Sequence, residues 1–286
     1  MYNSLSIFVG LSAIAAAQQG SCPEVWSTVA SDLQADFSGC NDDARAAIRA
    51  PFHDCINNGC DGSLILGSEC SRSENAGLED ICEKISGWSQ QYDVGVADMI
   101  QFAQAVAIAV CPLGPRIRAL VGRQDSSVPA PEGEIPSSSD SVASIVSAFE
   151  AKGLSANDVV ALVGAHSTAK QFFDDPAKAG ASLDSTPSTW DINFYAETLV
   201  GTAPYTLESD KKMSTDLQTA VEWLNFSLNA GGWAAAFVSA MEAFGVVGND
   251  VNSLTDCSSA IPTQARIRRE AKSKSFSERA FTGKFH

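Results

Sequence analysis

The stretch Arg49-Ala50-Pro51-Phe52-His53-Asp54-Cys55 gathers a cation, an aromatic ring and an imidazole within about one helical turn. Residues three and four apart share a helix face, so Arg49, Phe52 and His53 cluster at one helix end. Taken alone, a histidine on an apolar helix face is more often a hydrogen-bonded core residue than a ligand. The neighbours change that weighting. A titratable imidazole can move a proton between two oxygens. A fixed guanidinium can stabilise an oxyanion as it departs. Heterolytic O–O cleavage requires both.

Outward from this stretch the chain reads as all-α. Ala97–Val110 is apolar on most faces, which predicts a deeply buried helix. Ser139–Lys152 has a capping start, a spaced Val142/Ile145/Val146/Phe149 face and Gly153 as a stop. Ser155–Gln171 repeats the theme, with Ser155 as cap, Asp158 at the third position, and Val159, Leu162, Val163 and His166 on one face. Asp216–Asn229 and Ala234–Phe244 are read as further helices, and strand signals are few and short. Gly114–Ser138, rich in Pro and Gly, reads as a structured crossover between two helical lobes. The expected division is a distal lobe over 18–136 and a proximal lobe over 137–261.

Composition narrows the classes. The chain has 286 residues, 45% of them hydrophobic, which is ample for a full core. A net charge of −15 argues against nucleic acid, whose phosphates are met by clustered Lys and Arg. The apolar N-terminus ending in Ala15-Ala16-Ala17 is too short for a membrane span and reads as a signal peptide over residues 1–17, although no Lys or Arg precedes it. Eight cysteines suggest disulfides in an exported chain, or else free thiols or a metal cluster; no CxxC pair supports structural zinc. Residues 262–286 carry a charge of +5 and read as a flexible basic tail, a protease site at Arg266–Arg269, or an anchor for an anionic wall polymer.

Of three histidines, His286 is terminal and the second informative one lies in Leu162-Val-Gly-Ala-His166-Ser167-Thr168. The string RxxFHDC, NGCDGSLIL, GAHS and LDSTPSTWD resembles the plant–fungal haem peroxidase superfamily. It is most similar to the secreted fungal class II enzymes, in order from Cys22 to Pro262. The resemblance implies a two-lobed fold with haem b between the lobes, hydrogen peroxide as oxidant, small aromatic reductants, and a monomer with no membrane partner. It implies that Arg49 and His53 activate peroxide beside Phe52. Asn75 would accept from His53 Nδ1–H with Glu69 in support. His166 would be the iron ligand and Asp210 its carboxylate partner; without the resemblance, Asp210 reads as a surface residue before Lys211-Lys212.

The resemblance further implies two calcium ions. The first set is Asp54, Gly59 (carbonyl), Asp61 and Ser63; the second is Ser167, Asp184, Thr186, Thr189 (carbonyl) and Asp191. Hard oxygen donors suit Ca²⁺, although Asp61-Gly-Ser63 and 184–191 alone also fit plain turns. The implied disulfides are Cys22–Cys257, Cys40–Cys111, Cys55–Cys60 and Cys70–Cys82, the third resembling a plant class III loop.

Departures from the pattern narrow the enzyme. Where manganese peroxidases place three carboxylates, this chain has Asp42, Ala46 and Phe172. Where lignin and versatile peroxidases carry a surface Trp, it has Ala161; Trp190 and Trp223 remain as substitutes or as packing. Leu183 replaces the usual aromatic, Val221 a further cysteine, and 201–209 is short. These departures leave three readings: a generic haem-edge peroxidase, a manganese oxidiser with an atypical site, and a non-catalytic calcium-stabilised protein. Asn225-Phe-Ser227 is a glycosylation sequon in a helical pattern beside Trp223.

Overall fold

The computed structural model describes residues 20–57 and 59–263. The signal-peptide and tail readings therefore lie outside the described residues, apart from the start of the tail. Eleven α-helices are present among them. The first five are α1 (Val25–Asp36), α2 (Asp42–Cys55), α3 (Ser63–Leu66), α4 (Glu79–Tyr92) and α5 (Val96–Val110). After a long crossover come α6 (Val142–Glu150), α7 (Ala156–Val163), α8 (Asn193–Val200), α9 (Glu208–Met213), α10 (Ala220–Leu228) and α11 (Ala230–Phe244). Two antiparallel two-residue pairs complete the fold: β1 (Leu120–Val121) with β4 (Thr255–Asp256), and β2 (Lys170–Gln171) with β3 (Ala181–Ser182).

Every residue of α5 is buried, as its all-round apolar pattern demands. It packs against α1, α2 and α4. Inside it, Asp98 pairs with Arg123 at 3.0 Å and accepts from the Gly122 and Arg123 amides, so its carboxylate is fully engaged. Asn41 caps α2 through a 3.0 Å bond from the Ala44 amide. Pro51 lies inside α2, where its lack of an N–H leaves the Ala47 carbonyl without a helical donor. Four disulfides close the chain: Cys22–Cys257, Cys40–Cys111, Cys55–Cys60 and Cys70–Cys82. All eight cysteines are thereby consumed, which removes the thiol and metal-cluster alternatives. No single described helix is long and apolar enough to cross a membrane.

One helix expectation is corrected. The segment 155–171 is not one helix. Ser155 and Asp158 form the reciprocal cap, but α7 stops at Val163, a 3₁₀ turn covers Gly164–Thr168, and β2 follows. Gly164 sits where a Cβ would run into the Trp233 indole and the Tyr195 hydroxyl. Those two side chains also bond the carbonyls at the end of α7: Tyr195 Oη to Val160 at 2.6 Å and Trp233 Nε1 to Ala161 at 3.0 Å. Tertiary packing therefore ends the helix before the apolar pattern does. Residues 216–219 form a turn rather than helix, and α11 begins at Ala230, capped by Asn229, rather than at Ala234.

Candidate active site

The last turn of α2 presents His53, 2% exposed, with Phe52 beside it. His53 Nδ1 lies 2.7 Å from Asn75 Oδ1. The side-chain oxygen of Asn75 can only accept, so Nδ1 is the donor and Nε2 is left as the basic nitrogen. Asn75 is itself held by a 2.9 Å bond from Nδ2 to the Glu69 carbonyl. Burial, then the Arg49 charge, hold the His53 pKa well below the usual imidazole value, and the Asn75 contact opposes them. Arg49 donates to the Ala76 carbonyl at 3.0 Å, one residue from Asn75. Its side chain is solvent-accessible, yet the protein atoms around the guanidinium desolvate it and lower its pKa to about 10. It remains a cation at any working pH. Phe52 stacks on Phe149 of α6 with centroids 5.8 Å apart and meets the His53 ring edge-on.

Glu69 supports this network through its main chain. Its buried carboxylate points elsewhere: Oε1 accepts the Ala130 amide at 2.7 Å, and Oε2 lies 3.5 Å from Arg72. Arg72 also lies 3.7 Å from Glu74, which accepts the Gly133 amide at 2.6 Å. The segment 129–133 is thus hung from two carboxylates with Arg72 between them. Sequence reasoning missed Arg72, for which no local pattern distinguishes it from a surface arginine.

The second histidine sits in the 3₁₀ turn that packs against α2. His166 Nδ1 is 3.1 Å from Asp210 Oδ2 of α9, and Asp210 is completely buried. Phe194 of α8 packs edge-on against the His166 ring at 5.5 Å. The ring remains 31% accessible, and its Nε2 has no protein partner among the described residues. Two imidazoles, each fixed at Nδ1 with Nε2 unengaged, beside an accessible guanidinium, fit a metalloporphyrin: His166 Nε2 would hold the iron and His53 Nε2 would serve as a base.

The two oxygen clusters flank these histidines. Asp54 follows His53; it accepts from the Gly62 and Leu64 amides at 3.1 and 3.2 Å, and burial raises its pKa to about 7. Asp61 accepts from the Ser63 amide, while Ser63 Oγ is buried with no partner. Gly59 takes a φ of +142°, open to glycine, and its carbonyl accepts the Asp61 amide at 3.0 Å. Ser167 follows His166, and its Oγ is likewise buried and unpartnered. Leu183 N–H bonds the Ala169 carbonyl, bringing Asp184 alongside. Asp184 is fully buried, its Oδ2 has no partner, and burial raises its pKa to about 7. Its Oδ1 accepts the Thr186 amide, Thr186 Oγ1 donates to Asp191 Oδ2 at 3.0 Å, and the Thr189 amide donates to the Thr186 carbonyl. The unpartnered Ser63 and Ser167 hydroxyls and the free Oδ2 of Asp184 are what a hard cation satisfies. No group of three or more His, Cys, Asp or Glu side chains forms a metal cluster among the described residues, so these sites rest on mixed oxygen donors.

The expected positions of other chemistries are occupied differently. Asp42 is bound by Arg45 at 2.6 Å and Lys170 at 3.2 Å. Trp190 and Trp223 are buried at 2% and 0% exposure, the first stacked on Trp233 and the second bonded to the Tyr195 carbonyl.

An all-α frame carrying this pair of histidines defines a class as well as a site. The chain belongs to the peroxidase family, whose model matches residues 29–229. Fungal peroxidases are among its relatives. The peroxidase of Arthromyces ramosus is 34% identical, over 84% of this chain and 76% of its own length. The low-redox potential peroxidase of Taiwanofungus camphoratus is 36% identical over 83% and 77%. Manganese peroxidase H4 of Phanerodontia chrysosporium is 32% identical over 91% and 83%.

Proposed function

We propose that the protein is a haem peroxidase that reduces hydrogen peroxide at the His53–Arg49 site and oxidises small phenolic and other aromatic donors in one-electron steps at the haem edge. Haem b would be held by His166 between a distal lobe, 18–136, and a proximal lobe, 137–261; when bound, it supplies the electron-transfer chemistry. His53, neutral because burial and Arg49 depress its pKa, takes the peroxide proton at Nε2 and delivers it to the departing oxygen. Arg49 stabilises the negative charge on that oxygen. Asn75 fixes the tautomer and orientation of His53, and Phe52 excludes water from one side. Asp210 accepts a hydrogen bond from His166 Nδ1–H, which would make the imidazole a more electron-rich ligand. Two Ca²⁺ ions would be held by Asp54, Gly59, Asp61 and Ser63, and by Ser167, Asp184, Thr186, Thr189 and Asp191. Each anchors the backbone next to a histidine.

The observation that carries this reading is the pair of histidines with Nδ1 tied and Nε2 unengaged. A manganese site at Asp42 is disfavoured, because Arg45 and Lys170 already neutralise that carboxylate and Ala46 and Phe172 offer none. The buried Trp190 and Trp223 favour small donors at the haem edge over oxidation through a surface Trp. The name of the Taiwanofungus relative fits donors of modest potential. Four disulfides fit an extracellular protein, and residues 1–17, read as a signal peptide, would direct its secretion.

The test is reconstitution with hemin. Wild type should take up haem and oxidise a phenolic dye with peroxide. His166→Ala should lose the haem absorbance. His53→Ala should keep it while the peroxide step slows by roughly 10²- to 10⁴-fold. Haem uptake without peroxide turnover would favour the non-catalytic reading instead.

A further inference from the structure

One face of α10 has no counterpart in the packing. Leu217, Val221, Leu224 and Leu228 are 99%, 80%, 53% and 79% exposed. At about 100° per residue Val221, Leu224 and Leu228 fall within a sector of roughly 60°, and Leu217 lies in the turn just before the helix. The opposite face, Trp223 and Phe226, is buried in the core. A soluble protein rarely leaves such an aliphatic stripe bare, so something covers it.

The same helix supplies the cover. Asn225 lies one turn from Val221 and from Leu228, at the edge of the stripe. It is exposed, and its Nδ2 meets only the Glu222 carboxylate at 3.4 and 3.5 Å, contacts too long to hold it. Asn225-Phe226-Ser227 is the only Asn-X-Ser/Thr sequence in the chain with X other than Pro. We propose that Asn225 carries an N-linked oligosaccharide whose apolar sugar faces lie over Leu217, Val221, Leu224 and Leu228.

The helical setting is compatible with this, because transfer precedes folding, while the sequon is extended. The donor is a lipid-diphosphate-linked oligosaccharide of the export pathway. The Asn225 Nδ2–C1 bond forms, the C1–O bond to the diphosphate breaks, the lipid diphosphate leaves and Nδ2 gives up one proton. On folding, Ser227 Oγ finds the Leu224 carbonyl at 2.7 Å, and the glycan projects from the side away from the buried Trp223. The inference rests on export through a glycosylating compartment and is independent of the haem chemistry.

The experiment uses the full chain secreted from a yeast host, with a heterologous export signal as a parallel arm so that failure of residues 1–17 to export does not obscure the result. Peptide-N-glycosidase treatment should lower the intact mass by one oligosaccharide and leave Asp at position 225. Asn225→Gln should show neither change. Enzymatic deglycosylation of the folded protein should raise binding of an apolar dye several-fold. Leu224→Glu with Leu228→Glu should cancel that rise. Unmodified Asn225 in the secreted, folded protein overturns the proposal. So does a glycan whose removal leaves dye binding unchanged, or a stable dimer of the glycosylated protein that Leu224→Glu dissolves, since a second copy would then cover the stripe.

Discussion

Replacing Asn75 by Leu tests the distal base directly. The change is nearly isosteric but removes both bonds of the side chain: the 2.7 Å contact to His53 Nδ1 and the 2.9 Å bond to the Glu69 carbonyl. His53 is buried, so its Nδ1–H is left without an acceptor. Stranding a buried donor costs about 1–3 kcal/mol, and the ring regains freedom to rotate or change tautomer. If that loss falls on the step in which Nε2 takes the peroxide proton, the second-order rate with peroxide should drop roughly 5- to 150-fold, at about 1.4 kcal/mol per tenfold. The pH dependence separates this from general damage. Asn75 is the one contact that raises the His53 pKa. In Asn75→Leu the acid limb of the peroxide rate should stay where it is or move to lower pH, with a reduced plateau. Asn75→Asp keeps an acceptor and adds a negative charge, which favours imidazolium, so its acid limb should move to higher pH. Stopped-flow rates from pH 3 to 8, with haem absorbance as a check on loading, decide the matter. An unchanged plateau in Asn75→Leu, or limbs moving the same way in both variants, would refute the assignment.

Other outcomes follow from the same geometry. In wild type, the depressed His53 pKa keeps the base neutral below pH 6.5, so the peroxide rate should be flat from neutral pH through that value and fall only well below it. Asp210→Asn keeps the shape of the contact but weakens proton acceptance from His166 Nδ1, which should raise the iron reduction potential in a spectroelectrochemical titration. Chelation should remove two Ca²⁺ per chain by elemental analysis and lower Tm. Asp54 and Asp184 have folded pKa values raised to about 7, so in the ion-free protein their contribution is favourable at acid pH and lost as pH rises through that value. The drop in Tm on chelation should therefore be larger at pH 8 than at pH 5. Arg72→Gln should loosen the strap it braces, seen as faster hydrogen exchange at the Ala130 and Gly133 amides with haem loading unchanged.

The helical character of the chain was legible from periodicity, because α5 is apolar on every face and α6 carries a clean Val142/Ile145/Val146/Phe149 stripe. The end of α7 was not, because it is set by Tyr195 and Trp233 reaching across to its last carbonyls and by the space that Gly164 leaves for them. At the site, Arg49 and His53 announce themselves by spacing within one turn. Asp210 could be matched to His166 only by family resemblance, since a separation of 44 positions leaves no local signal. The same holds for Phe149 against Phe52 and Phe194 against His166: nothing in an apolar stripe tells which phenylalanine borders chemistry.

Glu69 has a wider consequence. Its carbonyl steadies Asn75, and so His53, while its carboxylate holds the Ala130 amide in the Pro129–Gly133 segment. One residue therefore belongs both to the proton-transfer apparatus and to the support of an exposed loop. Directed evolution that reshapes this loop should meet a built-in trade-off, in which variants that displace it turn over oxidant more slowly. Recovery should come from second substitutions in the short stretch between residues 69 and 76, so that these two regions change together rather than independently.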